Sequence, residues 1–191
     1  RDALKRTGWD EAQIARNFAD ALRSGKTAIS EDPLALINAE GLDVVLDVTG
    51  SPSAAIRHCL AAFKAKRHVV NVTVEADVLA GPLLAKRAAE AGVVYALAYG
   101  DQPALVCEMV DWAEACGFKV VSAGKGTKYM PEYPQSTPDT VWNYYGMTAE
   151  QAAAAGMNSQ MFNSFLDGTK SAIELAAISN DTGLKAPRKG L

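Results

Sequence analysis

Five short stretches of this chain carry side chains able to do chemistry. SAGKGTKYMP sets Lys125 and Lys128 among Gly124, Gly126 and Thr127. Backbone donors freed by glycine, with a lysine beside them, suit a phosphate, a carboxylate or a developing oxyanion; a solvated turn has the same composition. FLDGTKSAIELAA places Asp167, Lys170 and Glu174 near helical spacing, so Lys170 and Glu174 share a face. A lysine there can give a proton to a carbonyl oxygen, or it can form an exposed ion pair with Glu174. VNVTVEADVLAGP carries Glu75 and Asp77 just past an apolar run. Such carboxylates can move a proton or fix a hydroxyl, and they equally suit a helix N-terminus. DVTGSP offers Asp47, Thr49, Gly50 and Ser51, small groups that let a flat ring or a ribose approach the backbone. An ordinary turn, with Ser51 or Ser53 capping a helix, reads the same way. In AYGDQPA, Asp101 precedes Pro103, the pattern of a helix cap or of a substrate contact.

Other chemistries find little support. His58 and His68 have no metal-ligand spacing and read as structural, so no metal site is expected. No GxSxG elbow is present. Three cysteines, Cys59, Cys107 and Cys116, stand in apolar or helical contexts and read as buried thiols of a reducing compartment.

The elements that must position these residues follow from pattern. Residues 43–48 form an apolar run that reads as a strand buried on both faces of a parallel sheet. Residues 53–63 then have helical periodicity. Residues 69–74 are a second strand, 81–91 a helix stopped by Gly92, and 93–103 a strand and turn. Residues 104–116 are a helix, and 118–123 a further strand. Upstream, 10–24 reads as an amphipathic helix stopped by Gly25, 26–30 as a short strand, and 32–39 as a short helix opened by Pro33. The alternation is that of a doubly wound α/β fold with a parallel sheet, in which ligands gather at the carboxyl ends of strands. Residues 130–146 read as a long polar loop of the kind that serves as a lid. Residues 148–155 and 169–179 are helical.

The 191 residues, 49% hydrophobic and 21% charged, suit a soluble globular protein of one domain or slightly more. A net charge of -3 gives no basic footprint for nucleic acid, and no apolar run is long enough for a membrane span. Neither partner is expected, and the cytoplasm is the expected compartment. No GxGxxG turn occurs, and the chain opens at Arg1 and closes on KAPRKGL. A piece of something longer, without the first βα unit of a dinucleotide fold, is therefore expected.

Taken together, DVVLDVTGSP, HVVNVTVEADVLAGP, YGDQPALVCEMVDWA, VVSAGKGTKY and FLDGTKSAIELAA resemble the homoserine dehydrogenase-like oxidoreductases. The likeness is to the branch of predicted homoserine dehydrogenases that often carry a SAF domain. Enzymes that reduce and isomerise 1-deoxy-D-xylulose 5-phosphate form a sister branch. The resemblance implies a Rossmann-like domain for NADP or NAD over residues 1–123. It implies part of a substrate-binding and dimerisation domain over residues 124–191, and hence a homo-oligomer acting on a small molecule. It implies that Asp47, Thr49, Gly50, Ser51 and Thr73 lie on the cofactor side. It further implies that Asp101, Lys125, Gly126, Thr127 and Lys128 face substrate, and that Lys170, with Asp167 and Glu75, carries the chemistry. Arg1 and Arg6 would reach a 2′-phosphate if they follow the second strand of that domain. Homoserine dehydrogenases have Asn-Lys after the second strand, where this chain has Thr73-Val74. Two other readings accompany this one: a reductoisomerase acting on a sugar phosphate, and a non-catalytic ligand-binding or oligomerisation module.

Overall fold

The computed structural model describes residues 2–186. The chain divides into two compact units, Arg1–Ala98 and Tyr99–Leu191.

The first unit is an α/β structure around a parallel three-stranded sheet, in the order β1 (Val44–Asp47), β2 (His68–Asn71), β3 (Tyr95–Leu97). Helix α4 (Pro52–Lys64) crosses from β1 to β2, and α5 (Val74–Ala91) from β2 to β3. Parallel neighbours require such crossovers. The result has the Rossmann-like pattern that the alternation predicts. Both helices pack on one face of the sheet, where Cys59, Ala62 and Phe63 of α4 meet Val69, Leu84 and Ala88. Phe63 stands edge-on to Tyr95, with ring centroids 6.0 Å apart.

Several expectations are corrected here. Strand β1 is covered on one face only: Asp47 is buried, whereas Leu46 is 63% exposed. The reason is that α4 and α5 lie on the same side of the sheet. Helix α5 begins at Val74, inside the stretch expected as strand, and runs through Gly81 and Pro82. Pro at a first helical position is a common start signal. Here it is overridden, because Val74 and Ala76 are fully buried and the helix carries them into the core. Upstream, residues 10–24 are not one helix. A 3-10 turn (Glu11–Gln13) gives way to extended backbone, and Ile14 bridges to Thr27. Helix α2 (Phe18–Ser24) starts only where the Asn17 side chain accepts from Asp20 N. Residues 26–30 therefore contribute a single bridge rather than a strand. Gly25 ends α2 in the left-handed conformation, and Asp32 caps α3 (Pro33–Ile37) with Pro33 in its first turn. Arg1 lies outside the described residues, and Arg6 is exposed at the end of α1 (Asp2–Arg6).

The second unit is helical. Helix α6 (Gln102–Ala115) packs on α10 (Thr169–Thr182), and α9 (Ser159–Leu166) also meets α10. Residues 118–123 form no strand among the described residues, and Val121 is 85% exposed. A strand needs a neighbour to complete its ladder, and none pairs with this one. Residues 130–146 are folded rather than an open loop. They contain a 3-10 turn (Tyr133–Gln135) and α7 (Trp142–Tyr145), and they share a small core with α8 (Ala149–Ala154). Val141, Trp142 and Ala152 are its buried centre, with Phe162 and Leu166 of α9 packed against them. Thr148 and Gln151 close a reciprocal capping box at the start of α8. Cys59 is buried, Cys107 is half-buried and Cys116 is exposed, so burial of all three thiols is not what the fold provides.

Candidate functional site

In the first unit the strand ends are tied by buried polar groups. Asp47 closes β1, and its Oδ1 accepts from Thr49 N at 3.2 Å, Thr49 Oγ1 at 2.8 Å and Thr73 Oγ1 at 2.8 Å. Its Oδ2 lies 2.8 Å from His58 Nδ1 on α4. Thr73 Oγ1 in turn accepts from Gly50 N at 3.1 Å. Burial alone would raise the Asp47 pKa, but the hydrogen bonds from His58, Thr73 and Thr49 outweigh it and hold the carboxyl below its usual range. Since a carboxylate only accepts, the His58 proton on this side sits on Nδ1. Asp47 and Thr73 are thus committed to shaping the turn at Thr49, Gly50 and Ser51.

A second polar string continues from β2. Asn71 Oδ1 accepts from Thr73 N, and its Nδ2 donates to Thr73 O and to Tyr95 OH, each at 3.1 Å. Tyr95 donates to Asp77 Oδ1 at 2.9 Å. Burial and the Asp77 charge push the Tyr95 phenol far above its ordinary pKa. Glu75 and Asp77 both stand in the first turn of α5, where the helix dipole favours acids. Glu75 is half-buried.

The turn itself is open. Thr49 and Gly50 are exposed and Ser51 is half-buried. Gly50 has φ +65, and a Cβ built there meets nothing within 4 Å. His58, Asn71 and Tyr95 were not singled out by motif. The only signal for them is that polar residues stand on otherwise apolar elements facing the strand ends.

In the second unit the glycine- and lysine-bearing segment lies along one face of α10. Gly124 faces Leu175, whose Cδ2 stands 3.2 Å from the position of an added Cβ. Lys125 Nζ pairs with Glu174 Oε2. Thr127 Oγ1 lies 3.0 Å from Ser171 Oγ. Residues 171, 174 and 175 share one helical face, so the segment runs antiparallel to the helix. Lys170 Nζ approaches Glu174 Oε1 at 3.8 Å. Glu174 is 2% exposed, so the pair with Lys170 is not the surface contact that its spacing suggests. Two lysines thus share one buried carboxylate.

The remaining expected residues sit as follows. Asp167 Oδ1 accepts from Thr169 N at 2.9 Å and Thr169 Oγ1 at 2.7 Å, and Oδ2 from Asn163 Nδ2 at 3.0 Å. It thereby joins α9 to the first turn of α10. Asp101 caps α6 through Gln102 N at 3.0 Å. Gly126 and Lys128 are exposed. The structure thus brings together Asp47, Thr49, Gly50 and Thr73 in the first unit, and Lys125, Lys170 and Glu174 in the second. Among the described residues no group of His, Cys, Asp and Glu could hold a metal ion. No helix among them is long and apolar enough to cross a membrane.

Residues 100–191 match the family model described as "Oxidoreductase DRL, catalytic domain". No curated protein matches the chain. The family match supports an oxidoreductase, and Lys125, Lys170 and Glu174 all lie inside the matched span.

Proposed function

We propose that this chain serves an NAD(P)-dependent oxidoreductase of the homoserine dehydrogenase-like kind, acting on the carbonyl or alcohol of a small polar substrate. The observation that carries the reading is the pair of lysines gathered on a buried carboxylate within the oxidoreductase-matched region. The open turn at Thr49, Gly50 and Ser51 fits the nicotinamide and ribose end of a dinucleotide, because Gly50 leaves its backbone uncovered. No glycine-rich phosphate turn is present in these residues. We therefore infer that this chain alone binds dinucleotide weakly and is inactive. A nicotinamide cofactor, when bound, supplies or accepts the hydride. Lys170 holds a proton at Nζ for the substrate oxygen and takes it back in the alcohol direction. Lys125 orients the same substrate through its ammonium, and Asp101 contributes a polar contact.

The test is Lys170→Ala in the complete protein, assayed on L-homoserine and on 1-deoxy-D-xylulose 5-phosphate with each cofactor. Loss of a general acid lowers turnover by about 10²- to 10⁴-fold, with cofactor binding unchanged. Turnover equal to the wild type would remove Lys170 from this role. The glycine- and lysine-bearing segment GKGTK also suits a substrate phosphate, which is the ground for the reductoisomerase reading. The same two substrates separate them.

A further inference from the structure

We infer that Glu174 is a positioning residue, a buried carboxylate that holds Lys125 and Lys170 side by side and fixes where both ammonium groups point. The inference rests on the proposed roles of those two lysines.

Depth is the first argument. The Glu174 side chain is 3% exposed, while those of Lys125 and Lys170 are 20% and 25% exposed. The carboxylate lies beneath the ammoniums, so a substrate meets the lysines and not the acid. A charge buried so far from water must be paired, and among the described residues Lys125 and Lys170 are the cations that reach it.

Origin in the chain is the second. Lys170 stands one helical turn before Glu174 on α10, so helix geometry alone brings them near. Lys125 belongs to a segment with no regular structure of its own. Three contacts lay that segment on the helix: Gly124 on Leu175, Lys125 on Glu174, and Thr127 on Ser171. Only the middle one is ionic, and it is the one that sets a lysine.

Chemistry is the third. A lysine has a long flexible stem, and proton transfer requires its ammonium at a defined place. One fixed anion between two such stems supplies that definition without touching the reacting atoms.

Competitive labelling tests this in the complete protein without any substrate. A limiting amount of acetic anhydride is added, and acetylation of each lysine is read by mass spectrometry. Lys128, exposed in the same segment, is the internal reference. In the wild type Lys125 and Lys170 should label several-fold less than Lys128. Glu174→Gln should raise both several-fold and leave Lys128 unchanged, whereas Glu174→Asp should restore part of the protection. Equal labelling of the three lysines in the wild type would overturn the inference, and that measurement stands even if the variants fail to fold. Unchanged protection in a folded Glu174→Gln protein would overturn it too. A fully active Lys170→Ala protein with the labelling pattern intact would instead sink the functional reading alone.

Discussion

Asp47 Oδ2 and His58 Nδ1 stand 2.8 Å apart, joining the end of β1 to the second turn of the helix that follows it. The carboxylate beneath that contact also accepts hydrogen bonds from the Thr49 and Thr73 hydroxyls. One side chain therefore closes the β1 turn against the β2 turn, and its removal leaves several donors without an acceptor.

Asp47→Ala should cost about 2 to 3 kcal/mol of stability, since buried polar groups lose their partner. Asp47→Asn should cost less, because the amide oxygen still accepts from the threonines. The pH dependence has a definite sign. The Asp47 pKa lies below its unfolded value, so its contribution is complete above the ordinary carboxylate pKa of about 4 and is lost as pH falls through the folded pKa. Urea unfolding of wild type and Asp47→Asn should show a gap that is full near neutrality and shrinks in acid. A gap constant with pH would contradict the assignment.

Gly81 makes room for Asp77. A Cβ at Gly81 would lie 2.5 Å from Asp77 Oδ1, so alanine must displace the carboxylate from Tyr95. Alanine gains about 1 kcal/mol of helix propensity over glycine. The hydrogen bond to a charged acceptor is worth about 1.5 to 3 kcal/mol. Gly81→Ala alone should therefore destabilise by about 1 kcal/mol. In an Asp77→Ala background the same change should stabilise. Thermal melts of the four proteins in this cycle decide it, and a change of the same sign in both backgrounds would refute the steric account.

The thiols should differ in reactivity. Burial, with the Asp47 charge nearby, pushes the Cys59 thiol up to about 12. Iodoacetamide near neutral pH should modify exposed Cys116 and leave Cys59 untouched until the protein unfolds. Mass spectrometry of the native and denatured protein reads this directly.

Asp167 should matter through the helix that bears Lys170. Its carboxylate anchors Thr169 at the first turn of α10 and takes Asn163 from α9. Asp167→Ala should lower stability by about 1 kcal/mol, the usual value of a cap. Asp167→Asn keeps an acceptor for Thr169 and should lose about half of that. A loss of turnover in Asp167→Asn without loss of stability would give Asp167 a direct chemical role.

The linear sequence by itself determined the alternation from β1 to α6. Apolar runs, Gly25 and Gly92 as helix stops, Pro33 as a helix opener and Asp101 as a cap are local signals, and local hydrogen bonds settle them. It also marked Lys125 and Lys170 by the company of glycines and hydroxyls. It did not reveal that α5 starts at Val74, because the Gly81-Pro82 pair carries a strong local start signal that the burial of Val74 and Ala76 overrides. Nor did it show that residues 118–123 lack a strand partner, since pairing is a property of a neighbour and not of the run. Only the tertiary structure put Glu174 under two lysines and His58 against Asp47. Lys125 and Glu174 are distant in the chain, and their meeting depends on how a segment without periodicity lies on a helix. Burial then turns a pair that reads as a weak surface contact into a buried one, because removing water decides how strongly charges interact.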